Sequence, residues 1–104
     1  SEVLGKIKSG ILAGVPIASS IGDQHAALLG QGCLGVADVK STYGTGAFIV
    51  MNTGSRPVPS TQGLLTTLGF KLGEHAPTVY ALEGAVATAG RGIQWLRDSL
   101  KMIE

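Results

Sequence analysis

The sequence predicts a mixed α/β layer: a short helix, two antiparallel pairs of strands and a closing helix. Three observations carry this. Helix-favouring Ala26, Ala27, Leu28 and Leu29 stand together, and β-favouring runs separated by glycine-bearing turns fill residues 37–82. From Val86 onward the apolar residues Ala89, Ile93, Leu96, Leu100 and Ile103 return at spacings of three and four. Strands bracketed by helices favour a layered domain over a bundle.

The elements follow in order. Residues 1–19 carry Gly5, Gly10, Gly14 and Pro16 and read as a connecting segment that ends in a short strand around residues 15–18. Asp23 is a good N-cap type, and the alanines and leucines after it support a helix ended by Gly30 or Gly32. Across residues 37–53, Val39, Thr42, Tyr43, Phe48, Ile49 and Val50 favour strand around Gly44-Thr45-Gly46, a hairpin signal. Asn52-Thr53-Gly54-Ser55-Arg56-Pro57 reads as the next loop, and residues 64–71 and 78–82 as a second antiparallel pair. The stripe from Val86 to Ile103 then predicts one long helix that packs on the sheet, with Trp95 and Met102 as packing residues near it.

Composition narrows the function. Eight basic residues balance seven acidic ones in 104 residues, for a net charge of +1 with no cluster of either sign, which argues against nucleic acid or anionic membrane as a general partner. The uncharged stretches are too short and too interrupted to span a bilayer. A lone Cys33 forms no internal disulfide and reads as a small buried apolar residue. His25 and His75 lack partners at metal-ligand spacing. The start at Ser1-Glu2-Val3, without methionine or a signal-peptide profile, reads as internal to a longer chain.

Three local patterns carry chemistry. Asp23 places a carboxylate at a helix start, with the amide of Gln24 beside it; alone, such an aspartate is more often an N-cap than a general base. Gly44-Thr45-Gly46 sets a hydroxyl between glycines, whose access to positive φ makes a donor nest for phosphate; alone, it is an ordinary hairpin turn. Gly90 and Gln94 lie four apart on one helical face, where a flat ring could approach the glycine; alone, the glycine suits close backbone packing. Arg97 and Asp98 read as a helix-surface pair or interdomain contacts, and Glu83 as a strand-end carboxylate with a structural partner.

Taken together, Ile21-Gly22-Asp23-Gln24-His25, Ser41-Thr42-Tyr43-Gly44-Thr45-Gly46, Leu64-Leu65-Thr66-Thr67, Tyr80-Ala81-Leu82-Glu83-Gly84 and Gln94-Trp95-Leu96-Arg97-Asp98 resemble the glycerol kinases of the FGGY carbohydrate kinase family. The resemblance runs almost end to end but covers only a middle slice of such an enzyme. It implies part of a ribonuclease-H-like ATPase domain of the actin, hexokinase and Hsp70 superfamily. Residues 1–36 would be the end of the N-terminal domain with a junction helix, and residues 37–104 the first part of the C-terminal domain.

The resemblance also implies roles. Asp23 would be the catalytic base and contact glycerol with Gln24, Thr45 between Gly44 and Gly46 would approach the terminal phosphates of ATP, and Gly90 with Gln94 would border the adenine of ADP. Gly84 would help shape that wall. The implied substrates are glycerol and ATP with Mg2+, in a cytoplasmic, homo-oligomeric enzyme, whose magnesium-site aspartate, first phosphate hairpin and glycerol-enclosing aromatics lie outside these residues. His25 stands where these kinases often carry glutamine or serine, and Gly14 where the bacterial enzymes inhibited by fructose 1,6-bisphosphate carry arginine, so that regulation is not expected. The 104 residues alone are expected to be inactive. Competing readings are another FGGY kinase acting on a pentulose, as a xylulokinase does, and a non-catalytic interaction module derived from a kinase.

Overall fold

The computed structural model describes residues 2–104. A two-residue hairpin comes first, β1 (Gly5–Lys6) against β2 (Pro16–Ile17), followed by α1 (Asp23–Gly30). Strands β3 (Val39–Tyr43), β4 (Ala47–Gly54), β5 (Leu65–Phe70) and β6 (Val79–Val86) form one antiparallel sheet in the order β3-β4-β6-β5, and α2 (Gly90–Asp98) follows. The strand expected near residues 15–18 is present, and its partner β1 lies inside the segment read as a connection.

Helix α1 forms over its alanines and leucines and lies across β3, β4 and β5. It closes where Gln31 N–H donates to the Ala27 carbonyl at 2.9 Å and Cys33 N–H to that of Leu28 at 3.1 Å, with Gly32 at φ +74° turning the chain away. Leu28, fully buried, meets Cys33, Val50, Phe70 and Ala81 in a small core that Leu29 and Val79 flank. Cys33 is buried and free, as its composition suggested.

Two boundaries differ from expectation. Strand β4 continues through Asn52 to Gly54, because Asn52 is held on both sides: its N–H donates to the Asp38 carbonyl at 2.9 Å, its side-chain Nδ2 to the Cys33 carbonyl at 3.0 Å, and its Oδ1 accepts from Gly54 N–H at 2.8 Å. The expected loop therefore starts with Ser55. The closing helix is shorter than the apolar stripe. Val86 belongs to β6, where it pairs with Ala47, so the helix starts only at Gly90. It stops at Asp98, where Ser99 and Leu100 N–H both donate to the Trp95 carbonyl and Lys101 adopts φ +55°.

Helix α2 buries no side chain, so the expected packing of its stripe on the sheet is absent among the described residues. Ile93, Trp95 and Met102 are more than half exposed. So are Val39, Leu68 and Tyr43, which stand on the sheet face away from α1. The radius of gyration of 18.0 Å exceeds the ~13 Å of a compact domain of this length. The chain is an open slab with its small core on the α1 side and large apolar side chains exposed on the other.

Candidate functional site

The first site element is the start of α1. Gly22 is its N-cap residue, extended at φ −68° and ψ 153°, and no side chain caps the helix. Asp23 is the first helical residue, which corrects the capping expectation. Its own backbone is already helical, so its carboxylate turns onto its neighbour, where Oδ1 accepts the Gln24 N–H at 2.8 Å. A carboxylate in the first helical turn is favoured by the helix dipole. Asp23 is exposed, and its second oxygen has no hydrogen bond among the described residues.

Gln24 is half-buried and is tied to the sheet by a residue the sequence reading passed over. The Lys40 ammonium donates to Gln24 Oε1 and, at 2.9 Å, to Thr42 Oγ1. Strand alternation explains the placement: Lys40 and Thr42 point to the α1 face, whereas Val39, Ser41 and Tyr43 are exposed on the other. Lys40 is only 1% exposed. Burial pushes its pKa below the usual lysine range, and the carboxylates of Glu83 and Asp23 pull in the opposite direction. Glu83 pairs with Val50, which pairs with Lys40, so the two charges share a face one strand apart. Glu83 thus sits in the middle of β6, with its charge serving Lys40, rather than at a strand end. No local signal marked it, because the apolar Val39 and Tyr43 alternate with Lys40 and Thr42 and by pattern would put the lysine on the solvent face.

The second element is the turn between β3 and β4. Gly44 N–H donates to the Gly46 carbonyl at 2.8 Å. The Thr45 carbonyl accepts from Ala89 N–H at 2.9 Å and Arg91 N–H at 3.1 Å, and the Gly44 carbonyl from Gly90 N–H at 2.9 Å. The hairpin therefore caps α2, satisfying N–H groups that a helix start leaves open. The positive φ expected of these glycines is not used, since neither Gly44 nor Gly46 adopts it. Close approach is the reason for Gly46: a Cβ there would lie 2.4 Å from the Val86 carbonyl oxygen. The Thr45 hydroxyl and the N–H groups of Thr45 and Gly46 have no partner among the described residues, which leaves three donors at the tip for an anion.

Gly90 meets the turn directly, because a Cβ there would come 2.6 Å from the Gly44 oxygen. Gln94 follows one turn later on the same helix, exposed and with no side-chain hydrogen bond among the described residues. Gly84 lies in β6 against the side chain of Leu64, apart from this cap. A cleft of about 780 Å³ opens between α1 and the end of β5, lined by Ser20, His25, Leu68, Phe70 and Tyr80 among others, and contains none of the expected site residues. His25 faces that cleft. Among the described residues no group of three or more His, Cys, Asp or Glu side chains could hold a metal, and no helix is long and apolar enough to cross a membrane. Donors gathered at the turn suit nucleotide phosphates, while a magnesium ion would need ligands beyond these residues.

Comparison with known proteins follows this geometry. Residues 39–104 match the profile of the FGGY family of carbohydrate kinases, C-terminal domain. The chain is 58% identical over 105 residues to a glycerol kinase of Arabidopsis thaliana, covering 100% of this chain and 20% of that protein. It is 56% identical over 103 residues to glycerol kinase 2 of Streptomyces avermitilis, covering 99% of this chain and 20% of that protein. The crystal structure of Plasmodium falciparum glycerol kinase with ADP superposes with a TM-score of 0.90 at 41% identity, over 98% of this chain and 21% of that one. The chain thus spans about a fifth of the length of its relatives.

Proposed function

The chain belongs to the FGGY family of carbohydrate kinases, and from that premise we propose that it forms one wall of the active site of an ATP-dependent glycerol kinase. The observation that carries the reading is the continuous link from the Asp23-Gln24 corner through Lys40 and Thr42 on β3 to the hairpin that caps α2. One rigid strand holds the acceptor corner at one end and the phosphate turn at the other. The relatives named glycerol kinase, and the match to one solved with ADP, support the choice of polyol and nucleotide. The proposed boundary between the N-terminal and C-terminal domains falls after residue 36. The cytoplasm and a homo-oligomer are the setting proposed for the whole enzyme.

In the complete enzyme, a glycerol hydroxyl oxygen attacks the γ-phosphorus of ATP. Its proton passes to the free oxygen of Asp23, the bond to the β,γ-bridging oxygen breaks, and ADP leaves with that electron pair. Gln24 orients the acceptor. Thr45, with the N–H groups of Thr45 and Gly46, binds the terminal phosphates, and Gly90 and Gln94 border the base. Mg2+, held by residues outside this chain, would neutralise phosphate charge. The acceleration comes from alignment and fixed donors, because this transfer asks little covalent work of the protein.

Asp23→Asn in the full-length enzyme tests the reading by glycerol-dependent ADP formation. Loss of the base should lower turnover by about 10²–10⁴-fold while preserving shape. Turnover near the parental level would remove Asp23 from its role. A full-length parent that prefers a pentulose to glycerol in direct competition would move the enzyme to another branch of the family.

A further inference from the structure

The most unusual group within the described chain is the buried ammonium of Lys40. A lysine carries three donors and no acceptor, so whatever atom of the Gln24 amide faces it must be the carbonyl oxygen. With the amide reversed, N–H groups would oppose an ammonium that is 1% exposed and has little water to turn to. The second bond, from Nζ to Thr42 Oγ1 at 2.9 Å, keeps the lysine head from following Gln24 if the amide rotates. Lys40 and Thr42 lie on one short strand whose partner β4 holds it in register, so both anchor points are rigid.

We propose that Lys40 is the positioning residue for Gln24: by gripping Oε1 it turns Nε2 outward as an obligate donor, so this corner of the acceptor subsite takes a hydroxyl oxygen as hydrogen-bond acceptor. The inference rests on the kinase reading above and adds a polarity to it. Asp23, next in the chain, is an acceptor when ionised. A hydroxyl is the simplest group that satisfies both at once, receiving from Gln24 through its oxygen and giving its proton to Asp23. Lys40 acts only through Gln24 and does not itself reach the substrate.

A double-mutant cycle in the full-length enzyme tests this. Lys40→Met should raise the KM for glycerol roughly tenfold, the scale of one charge-assisted hydrogen bond, with the KM for ATP changed less than about twofold. Gln24→Ala should do the same, and the double variant should be no worse than Gln24→Ala alone, the non-additivity of residues that act as a unit. Additive losses, or equal rises in both KM values, would overturn the proposal. Gln24→Glu supplies a measurement that does not need Lys40→Met to fold: a carboxylate oxygen in place of Oε1 pairs with the buried ammonium, so Tm should rise, and a lower Tm would show that Lys40 does not grip this side chain. A parent enzyme that phosphorylates no polyol would sink the kinase reading instead, while the Tm result would still decide whether the grip exists.

Discussion

Gly90 and Gly44 are in backbone contact: the Gly90 N–H donates to the Gly44 carbonyl at 2.9 Å, and a methyl on Gly90 would lie 2.6 Å from that same oxygen. This bond, with those the Thr45 carbonyl accepts from Ala89 and Arg91, joins the turn proposed to hold phosphate to the helix proposed to border the base. Gly90→Ala must push the two apart, since the opposing atom is backbone and cannot rotate away. In the full-length enzyme this should raise the KM for ATP more than that for glycerol, read from initial rates with each substrate varied in turn.

Gly46 and Gly44 should separate by stability. Gly46→Ala sets a methyl 2.4 Å from the Val86 carbonyl oxygen, whereas the nearest atom to a methyl on Gly44 is 3.8 Å away. Overpacking of this kind costs about 1–3 kcal/mol, against less than ~0.5 kcal/mol at an uncrowded position. Denaturant unfolding of the two full-length variants should show a lowered midpoint for Gly46→Ala alone. Equal midpoints would mean that turn and strand can part freely.

Leu28 is the one fully buried leucine of the described core, wedged between α1 and the sheet. Leu28→Ala should cost about 2–5 kcal/mol from lost transfer energy plus the residual cavity. Because α1 also carries Asp23 and Gln24, glycerol affinity should weaken with stability. A Tm equal to that of the parent would show that α1 is held from its other side.

Lys40 gives the fold a pH dependence with a definite sign. Burial lowers its pKa in the folded state below the ordinary 10.5, so between the folded value and 10.5 the unfolded chain binds more protons. Stability contributed by this group therefore rises with pH through that window, and the penalty is fully present below the folded pKa. The difference in unfolding free energy between the parent and Lys40→Met, followed from pH 7 upward, should show this rise in the parent only. A difference independent of pH would mean that the lysine stays charged at no cost.

The isolated 104 residues should unfold without a sharp transition and bind a hydrophobic dye, because α2 buries no side chain and the sheet leaves Val39, Tyr43 and Leu68 exposed. A small core of this kind supports little cooperativity by itself. A single steep calorimetric peak would contradict the slab description and favour the self-sufficient module.

Local chemistry made part of this protein legible in its sequence. Helix propensity and glycine punctuation placed α1, the β3–β4 hairpin and its turn, and the β5–β6 pair, since these depend on neighbours within a few residues. The motifs around Asp23, Thr45 and Gln94 carried the family. Tertiary structure decided what distant partners decide. Val86 has helical spacing but pairs with Ala47 on β4, and the ladder overrides the period. Asn52 has loop chemistry, yet bonds to the segment before β3 hold it in a strand. Gly46 and Gly90 need no side chain because other backbones press on them, not because of their own φ. Lys40 gave no local sign of burial, for the groups that hold it come from α1 and its own strand and are assembled only when helix and sheet close on each other.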